Sequence, residues 1–586
     1  MPGFYITNFT QALFIEEMVP KSFNDNKTPI RPAVSYITGG LKIDDMVLNY
    51  HSLDKFANDK VLIAESDFAL ATEGALLNAH ALCRETGEGL AHAIWHKYNV
   101  QGTKCFAQFV GPFSGAIYDR HNYIITAWTN HTGDAPVFYY CCDGYFCIAS
   151  QVDWILDTLR RNGCSITLDE QAAYSMLTYA YMYDGRTYAQ EIKRLMPGTC
   201  LTVSLSDGQE KIDTYWQLTN DKVDLSHLSE DEIIDQMDER FRAAVALEFE
   251  KDREYGYAHI ADLSGGFDGR MVNWVARDMG YGPILNLHYS QADSHEEEFT
   301  KKLAFQMGNT LLLRPLNDLN FLYDLERIIS MNYGLNLYCG ITGGESLLRS
   351  INFAEFGLEH TGMIGDVVIG SFLSHTGDQD IREIAGTYSD RLVCKLDKAH
   401  IESYPNREMQ LIYIRGLLGA SATFLIRRYY TIGTSPFLNP DFLSFCMSIP
   451  VDLRAGHKLY DKWVLKKYPE AAQVAWTGNN LKITTARWHR YAKRVKGGLY
   501  RRTLGRFSKG INKRGMNPFD WWWQENTKFR SYYQNYYDEH INNLPELSDH
   551  IKNDISTFWS ECQPLEKAQV LTLLAALKFY FHRQQE

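Results

Sequence analysis

Seven consecutive residues, Ser264-Gly265-Gly266-Phe267-Asp268-Gly269-Arg270, combine what is needed to hold a polyphosphate. Glycines let backbone N–H groups approach an anion closely, and the Ser264 hydroxyl adds a further donor. Asp268 would repel bare phosphate, so its presence makes sense where Mg2+ bridges the carboxylate to the phosphates. No Gly-Lys-Ser/Thr follows, so this is not a P-loop. The plainer alternative is a glycine turn that caps a helix. The context argues against it, because a short apolar run precedes the loop and a helical pattern follows it.

That context is an α/β one. His259-Ile260-Ala261-Asp262-Leu263 reads as a short buried strand and residues 270–279 as a helix. Ile284-Leu285-Asn286-Leu287-His288-Tyr289 reads as the next strand, and Glu296 to Met307 as the next helix. Alternating strands and helices predict a parallel sheet. A helix is expected before them, from Ile233 to Ala246. Upstream, residues 1 to about 215 read as strands and turns. Ile124-Ile125-Thr126-Ala127-Trp128 and Val137-Phe138-Tyr139-Tyr140 flank a turn-rich stretch. Asp143-Gly144 signals a hairpin into Tyr145-Phe146-Cys147-Ile148-Ala149, and Cys200-Leu201-Thr202-Val203 turns at Ser206-Asp207-Gly208. An antiparallel β-rich domain with helices fits residues 1–220, and an α/β domain with a helical extension fits 221–586.

The remaining composition narrows the function classes. A chain of 586 residues exceeds one core, and two to four domains are expected. Its net charge of −12 disfavours broad nucleic-acid binding. The eleven cysteines contain no Cys-x-x-Cys pair, and adjacent Cys141 and Cys142 suit no zinc site. They read as reduced thiols, which fits a cytoplasmic location. The N-terminal residues lack a basic stretch leading into an apolar one, and no run of 18 apolar residues predicts a membrane span.

Four motifs in order resemble the asparagine synthetase family. Ser264-Gly265-Gly266-Phe267-Asp268 resembles its pyrophosphate loop. Thr361-Gly362-Met363-Ile364-Gly365-Asp366 resembles its second metal motif, and Ser435-Pro436-Phe437-Leu438-Asn439-Pro440-Asp441-Phe442 a late motif. Phe109 to Leu156, Leu195-Met196-Pro197-Gly198 and Tyr215-Trp216 resemble the glutaminase half of that family. The resemblance implies an N-terminal Ntn-hydrolase-like β-sandwich and a C-terminal synthetase domain of the adenine-nucleotide α-hydrolase type. It also implies ATP and Mg2+ as cofactors. ATP would lie against Leu263, Ser264, Gly265, Gly266, Asp268 and Gly362, with Mg2+ on Asp268 and Asp366. Lys482, after Trp476-Thr477-Gly478, would be the catalytic cation, although a solvated surface lysine is the other reading. His295 and Glu296 fall near the expected adenosine pocket and are given no role.

Three departures redirect the expected chemistry. The family's glutaminase half uses a cysteine directly after the initiator Met as its nucleophile. Here Pro2, Gly3, Phe4 and Tyr5 follow Met1, so glutamine hydrolysis is not expected and the domain reads as degenerate. In this it is similar to β-lactam synthetase and the lasso-peptide cyclases. Met363 stands where asparagine synthetases carry Glu, and Val367 follows Asp366. Any proton acceptor must then come from elsewhere, with Glu345, His375 and Asp378 nearby in sequence, or the amine arrives already neutral. Gly269 replaces the final Ser of the loop.

Residues 487–514 hold eleven Lys or Arg and no Asp or Glu, interleaved with apolar residues such as Trp488, Tyr491 and Leu499. The readings are a solvated helix face, or contact with an anionic substrate or membrane surface. Trp521-Trp522-Trp523 is expected to pack in the core or an interface. The leading expectation is an ATP-dependent synthetase that adenylates a carboxylate, releases AMP and pyrophosphate, and forms an amide with an amine or ammonia without glutamine hydrolysis. Its partners would be a small-molecule or peptide carboxylate and an amine, in specialised biosynthesis. A lasso-type peptide macrocyclase and a nucleotide-binding pseudoenzyme are the alternatives.

Overall fold

The computed structural model describes residues 2–13, 35–220, 223–340, 342–373, 386–477, 480–485 and 514–582. The first half is a sandwich of antiparallel strands. These are β1 (Gly3–Thr7), β2 (Tyr36–Ile43), β3 (Met46–Leu53), β4 (Leu62–Ala64), β5 (Phe68–Gly74), β6 (Phe113–Asp119), β7 (Ile124–Trp128), β8 (Phe138–Cys142), β9 (Tyr145–Ala149), β10 (Lys193–Arg194), β11 (Thr199–Ser204) and β12 (Glu210–Thr214). They form two six-stranded sheets, in the orders β10-β8-β9-β1-β3-β2 and β12-β11-β7-β6-β5-β4. Alternation along the strands sends Phe4, Ile6 and Leu48 of one sheet against Ala71, Ala127 and Leu201 of the other. The expected hairpin joins β8 to β9, with Asp143 and Gly144 both at positive φ.

The second half is built on a parallel sheet. Its strands are β13 (Ala258–Asp262), β14 (Ile284–Ser290), β15 (Thr310–Pro315), β16 (Phe356–His360) and β17 (Gly433–Thr434), in the order β15-β14-β13-β16-β17. The helices Glu230–Glu254 and Asp268–Asp278 cover one face, packing Phe241 and Val275 on Ala261 and Ile284. On the other face Ile260 and Leu287 join a core with Leu325, Leu347 and Leu425. The chain is therefore mixed α/β, antiparallel first and parallel later.

The helix expected from Ile233 to Ala246 runs from Glu230 to Glu254. Ser229 and Glu232 close a capping box at its start. Its charged end, Glu248 to Asp252, looks like a helix terminus in sequence. Glu248, Lys251 and Asp252 are instead buried and paired in the fold, with Lys251 donating to Asp59 of the first half at 2.8 Å. The halves also share one apolar core, in which Tyr5, Phe138 and Trp154 join Leu322, Tyr333 and Leu571. One helical run, Arg407–Arg427, is long and apolar enough to cross a bilayer, and 83% of its most apolar window is buried inside the fold. The Trp521-Trp522-Trp523 run lies on the helix Phe519–Glu525, where Trp522 is buried against Phe321 and donates to Gln291.

Candidate functional site at the edge of the parallel sheet

The loop Ser264 to Phe267 leaves β13 at its carboxyl end, where open α/β sheets bind ligands. Its donors already engage oxygens. Gly265 N donates to the Glu296 carboxylate at 2.7 Å, and Gly266 N to Ser264 Oγ at 3.2 Å. A carboxylate oxygen thus sits where the loop's geometry favours an anion. Gly265 cannot carry a side chain, since a Cβ there would lie 2.4 Å from Thr477 Cγ2 and 3.2 Å from Phe299 Cβ.

The structure brings Asp268 and Asp366 together. Asp268 opens the helix that follows the loop, and Asp366 lies in the short helix Gly365–Val368. The two motifs press on each other so closely that a Cβ at Gly362 would stand 2.2 Å from Gly269 N. Burial, then the charge of Asp366, drives the Asp268 carboxyl well above the usual carboxylate range. Tyr460 Oη donates to it at 3.0 Å and the Asp366 backbone N–H also points at it. A buried carboxyl kept from ionising by burial and by a facing second carboxylate has the chemistry of a divalent-cation site.

Arg270 organises the other wall. It is fully buried and spends its guanidinium on main-chain carbonyls. One nitrogen donates to Ala471 O at 3.0 Å and Val474 O at 2.9 Å, the other to Gly265 O at 2.8 Å and Ala475 O at 3.0 Å. Its ring partner is Phe267, 4.5 Å away. The segment leading to Trp476 and Thr477 is thereby tied to the loop. Lys482 lies beyond it, exposed, in a surface pocket of about 420 Å³ with Phe299, Lys302 and Phe305. No described contact joins Lys482 to Asp268 or Asp366.

Two charged clusters flank the loop on opposite faces of the sheet. On one, Arg427 donates to Asp262 Oδ2 at 2.8 Å and Glu359 Oε1 at 2.9 Å. Burial pushes Glu359 up to about 8, with Arg427 opposing and the Asp262 charge adding to the rise. On the other, His360 is stacked on Phe249 at 3.8 Å and held between Glu248 at 3.1 Å and Asp252 at 2.8 Å. Burial disfavours the imidazolium, yet Asp252 and Glu248 raise His360 to about 9. His259 donates to the same Asp252 oxygen at 2.8 Å. These three ligand-type residues, Asp252, His259 and His360, converge, with no fourth such ligand among the described residues.

Of the proton acceptors considered from sequence, Glu345 is fully buried and engaged by Arg327 and Tyr430, with Arg349 beside it. His375, Asp378, Gly478 and residues 487–513 lie outside the described residues. Arg514 closes that basic stretch, donating to Glu298 at 3.2 Å beside the loop's rim. Arg427 and Tyr460 escaped the sequence reading, and Arg270 was named there only as the last residue of the loop, with no role, because nothing local shows which carbonyls its guanidinium meets.

In the sandwich, β1 opens on Pro2 and Gly3, and a Cβ at Gly3 would lie 2.3 Å from Ser150 Cβ. His51 stands opposite Gly3, and burial lowers it to about 4.

Comparison with known proteins places part of this architecture. The family model described as a glutamine amidotransferase domain matches residues 63–216. That stretch is therefore a glutamine amidotransferase-type domain. Amidase chyE of Penicillium rubens is 23% identical over 214 residues, which is 36% of this chain and 30% of that protein. Among solved structures, the glutamine PRPP amidotransferase from B. subtilis, complexed with ADP and GMP, has 11% identity and a TM-score of 0.18, covering 43% of this chain and 47% of its own. A structure described as the allosteric regulatory enzyme of purine biosynthesis has 10% identity and a TM-score of 0.23, covering 53% of this chain and 74% of its own.

Proposed function

We propose that the protein is an ATP-dependent, AMP-forming amide synthetase. The observation that carries this reading is the facing pair Asp268 and Asp366, set beside a glycine loop at the carboxyl edge of a parallel sheet. Ser264, Gly265 and Gly266 would bind the phosphates, with Leu263 and Gly362 against the nucleotide. Glu296 would give up Gly265 N–H to a phosphate oxygen. Asp268 and Asp366 would hold Mg2+, which when bound neutralises a pyrophosphate leaving group. A substrate carboxylate oxygen attacks the α-phosphorus as the bond to pyrophosphate breaks. An amine nitrogen then attacks the acyl carbon and AMP leaves. Lys482 remains a candidate for the cation of the first step through the segment that Arg270 anchors.

The experiment is release of AMP and pyrophosphate from Mg-ATP across a panel of carboxylates with ammonia and simple amines. Wild type is compared with Asp268→Ala. AMP release that needs one acid and vanishes in the variant supports the reading, and ADP release defeats it. The amidotransferase-type domain favours a second reading, in which glutamine supplies the nitrogen. Glutamate release from glutamine in the same assay would establish it.

A further inference from the structure

The amide-forming step needs a group that takes a proton from the amine, and Met363 supplies none. We propose that Asp262, backed by Glu359 and held in place by Arg427, is that proton acceptor, with Asp262 in contact with the amine and Glu359 as its relay. The inference rests on the amide-forming reading above.

Asp262 ends β13 and is separated from Ser264 by one residue. Glu359 lies on the neighbouring β16, next to His360. His360 packs on the helix Glu230–Glu254, so the alternation of a strand turns Glu359 to the opposite face, where Arg427 meets it. Exposure is graded across the cluster. The Asp262 side chain is 28% open, while those of Arg427 and Glu359 are 4% and 1% open. Asp262 is therefore the mouth and Glu359 the floor.

Charge balance gives the pair its chemistry. One guanidinium faces two carboxylates, with Tyr289 beside all three and His288 facing Asp262 as further titratable neighbours. Glu359 Oε2 is buried, and among the described residues no donor reaches it. Asp262 is within hydrogen-bond reach of Glu359, a bond that requires a proton on one of the two. Such a pair stores one proton and can move it between a buried and an accessible oxygen. Burial places Glu359 near 8, within reach of an amine's working range. Glu345, a buried carboxylate also considered for this role, accepts from Arg327 and Tyr430 on one oxygen and has the Arg349 guanidinium 3.6 Å from the other, so cations flank both its oxygens.

The amine nitrogen's lone pair forms the C–N bond, the bond from the acyl carbon to the AMP oxygen breaks, and AMP leaves with that electron pair. The proton lost from nitrogen goes to Asp262 and is shared with Glu359.

The test separates the two half-reactions in Glu359→Gln and Asp262→Asn. ATP–pyrophosphate exchange with the cognate acid reports adenylation. Amide formation with the cognate amine reports transfer, and hydroxylamine, a weakly basic nucleophile, serves as a rescue. Amide formation is expected to fall at least about 100-fold relative to exchange in the same preparation. The rise of amide formation with pH near 8 should disappear, and hydroxylamine should still capture the acyl group. Asp262→Asn, at the open end of the cluster, carries the test if Glu359→Gln fails to fold. Amide formation that keeps both its rate relative to exchange and its pH profile overturns the proposal while leaving the synthetase reading intact. No exchange in the wild type with any acid defeats that reading, and this proposal with it.

Discussion

Arg270 reaches back along its own helix to the carbonyl oxygen of Gly265, 2.8 Å away, and with the same guanidinium holds three carbonyls of the 471–475 segment. One side chain therefore sets the spacing between the two walls of the candidate nucleotide site. Lysine keeps the charge but offers no planar fork for four carbonyls.

Arg270→Lys should weaken ATP binding at least tenfold. Leaving buried carbonyls unsatisfied should also cost about 2–4 kcal/mol of stability. Titration calorimetry and urea unfolding measure the two effects. An ATP affinity like that of wild type in a folded variant would detach this arginine from the site.

Asp268→Asn removes one of two opposed carboxyls. The ligand-free variant should melt a few degrees higher than wild type, because the repulsion with Asp366 is gone. Mg-ATP should no longer raise its melting temperature. In the wild type the nucleotide-induced rise should vanish when EDTA replaces Mg2+. Scanning fluorimetry reads all three.

His360 makes the fold pH-sensitive. Its value rises from an ordinary 6.5 to about 9 in the folded chain. The stabilisation is therefore complete below pH 6.5 and is lost as pH climbs through about 9. At about 1.4 kcal/mol per unit, the loss is on the order of 3 kcal/mol. His360→Asn should be less stable at pH 6 and show a flatter slope between pH 6.5 and 9. Denaturant midpoints across that window would reveal an unchanged slope if the clamp is absent.

Lys251 and Asp59 join the two halves where neither is open to solvent. Breaking the pair by Lys251→Met should cost about 3–5 kcal/mol, because Asp59 then stays buried without its cation. The double variant Lys251→Met/Asp59→Leu should recover much of that loss. A double-mutant cycle by urea unfolding gives the coupling, and additive losses would show that the contact is weak.

The strand-loop-helix around Ser264 was legible because its signal is local: an apolar strand, glycines, then a helical pattern. β13 and its helix fall within a few residues of expectation for that reason. The Asp143-Gly144 hairpin was legible on the same ground. The cluster Asp262-Glu359-Arg427 was not, because its members lie about 70 to 165 residues apart and meet only through sheet order. The extended helix end, Glu248 to Asp252, was missed for a related reason. Charged residues read as solvent-facing until their buried partners are known. Lys482 shows the converse. A motif order picked it out, and the fold sets it on an exposed rim.

The apolar core shared by Tyr5, Phe138 and Trp154 with Leu322, Tyr333 and Leu571 has a consequence for engineering and for descent. Neither half can be lifted out and grafted onto another scaffold without exposing a broad oily face. A substitution in the sandwich can be compensated by one in the nucleotide half, so the two should drift as a matched set. Chimeras that swap either half between homologues should precipitate unless these contact residues travel with it.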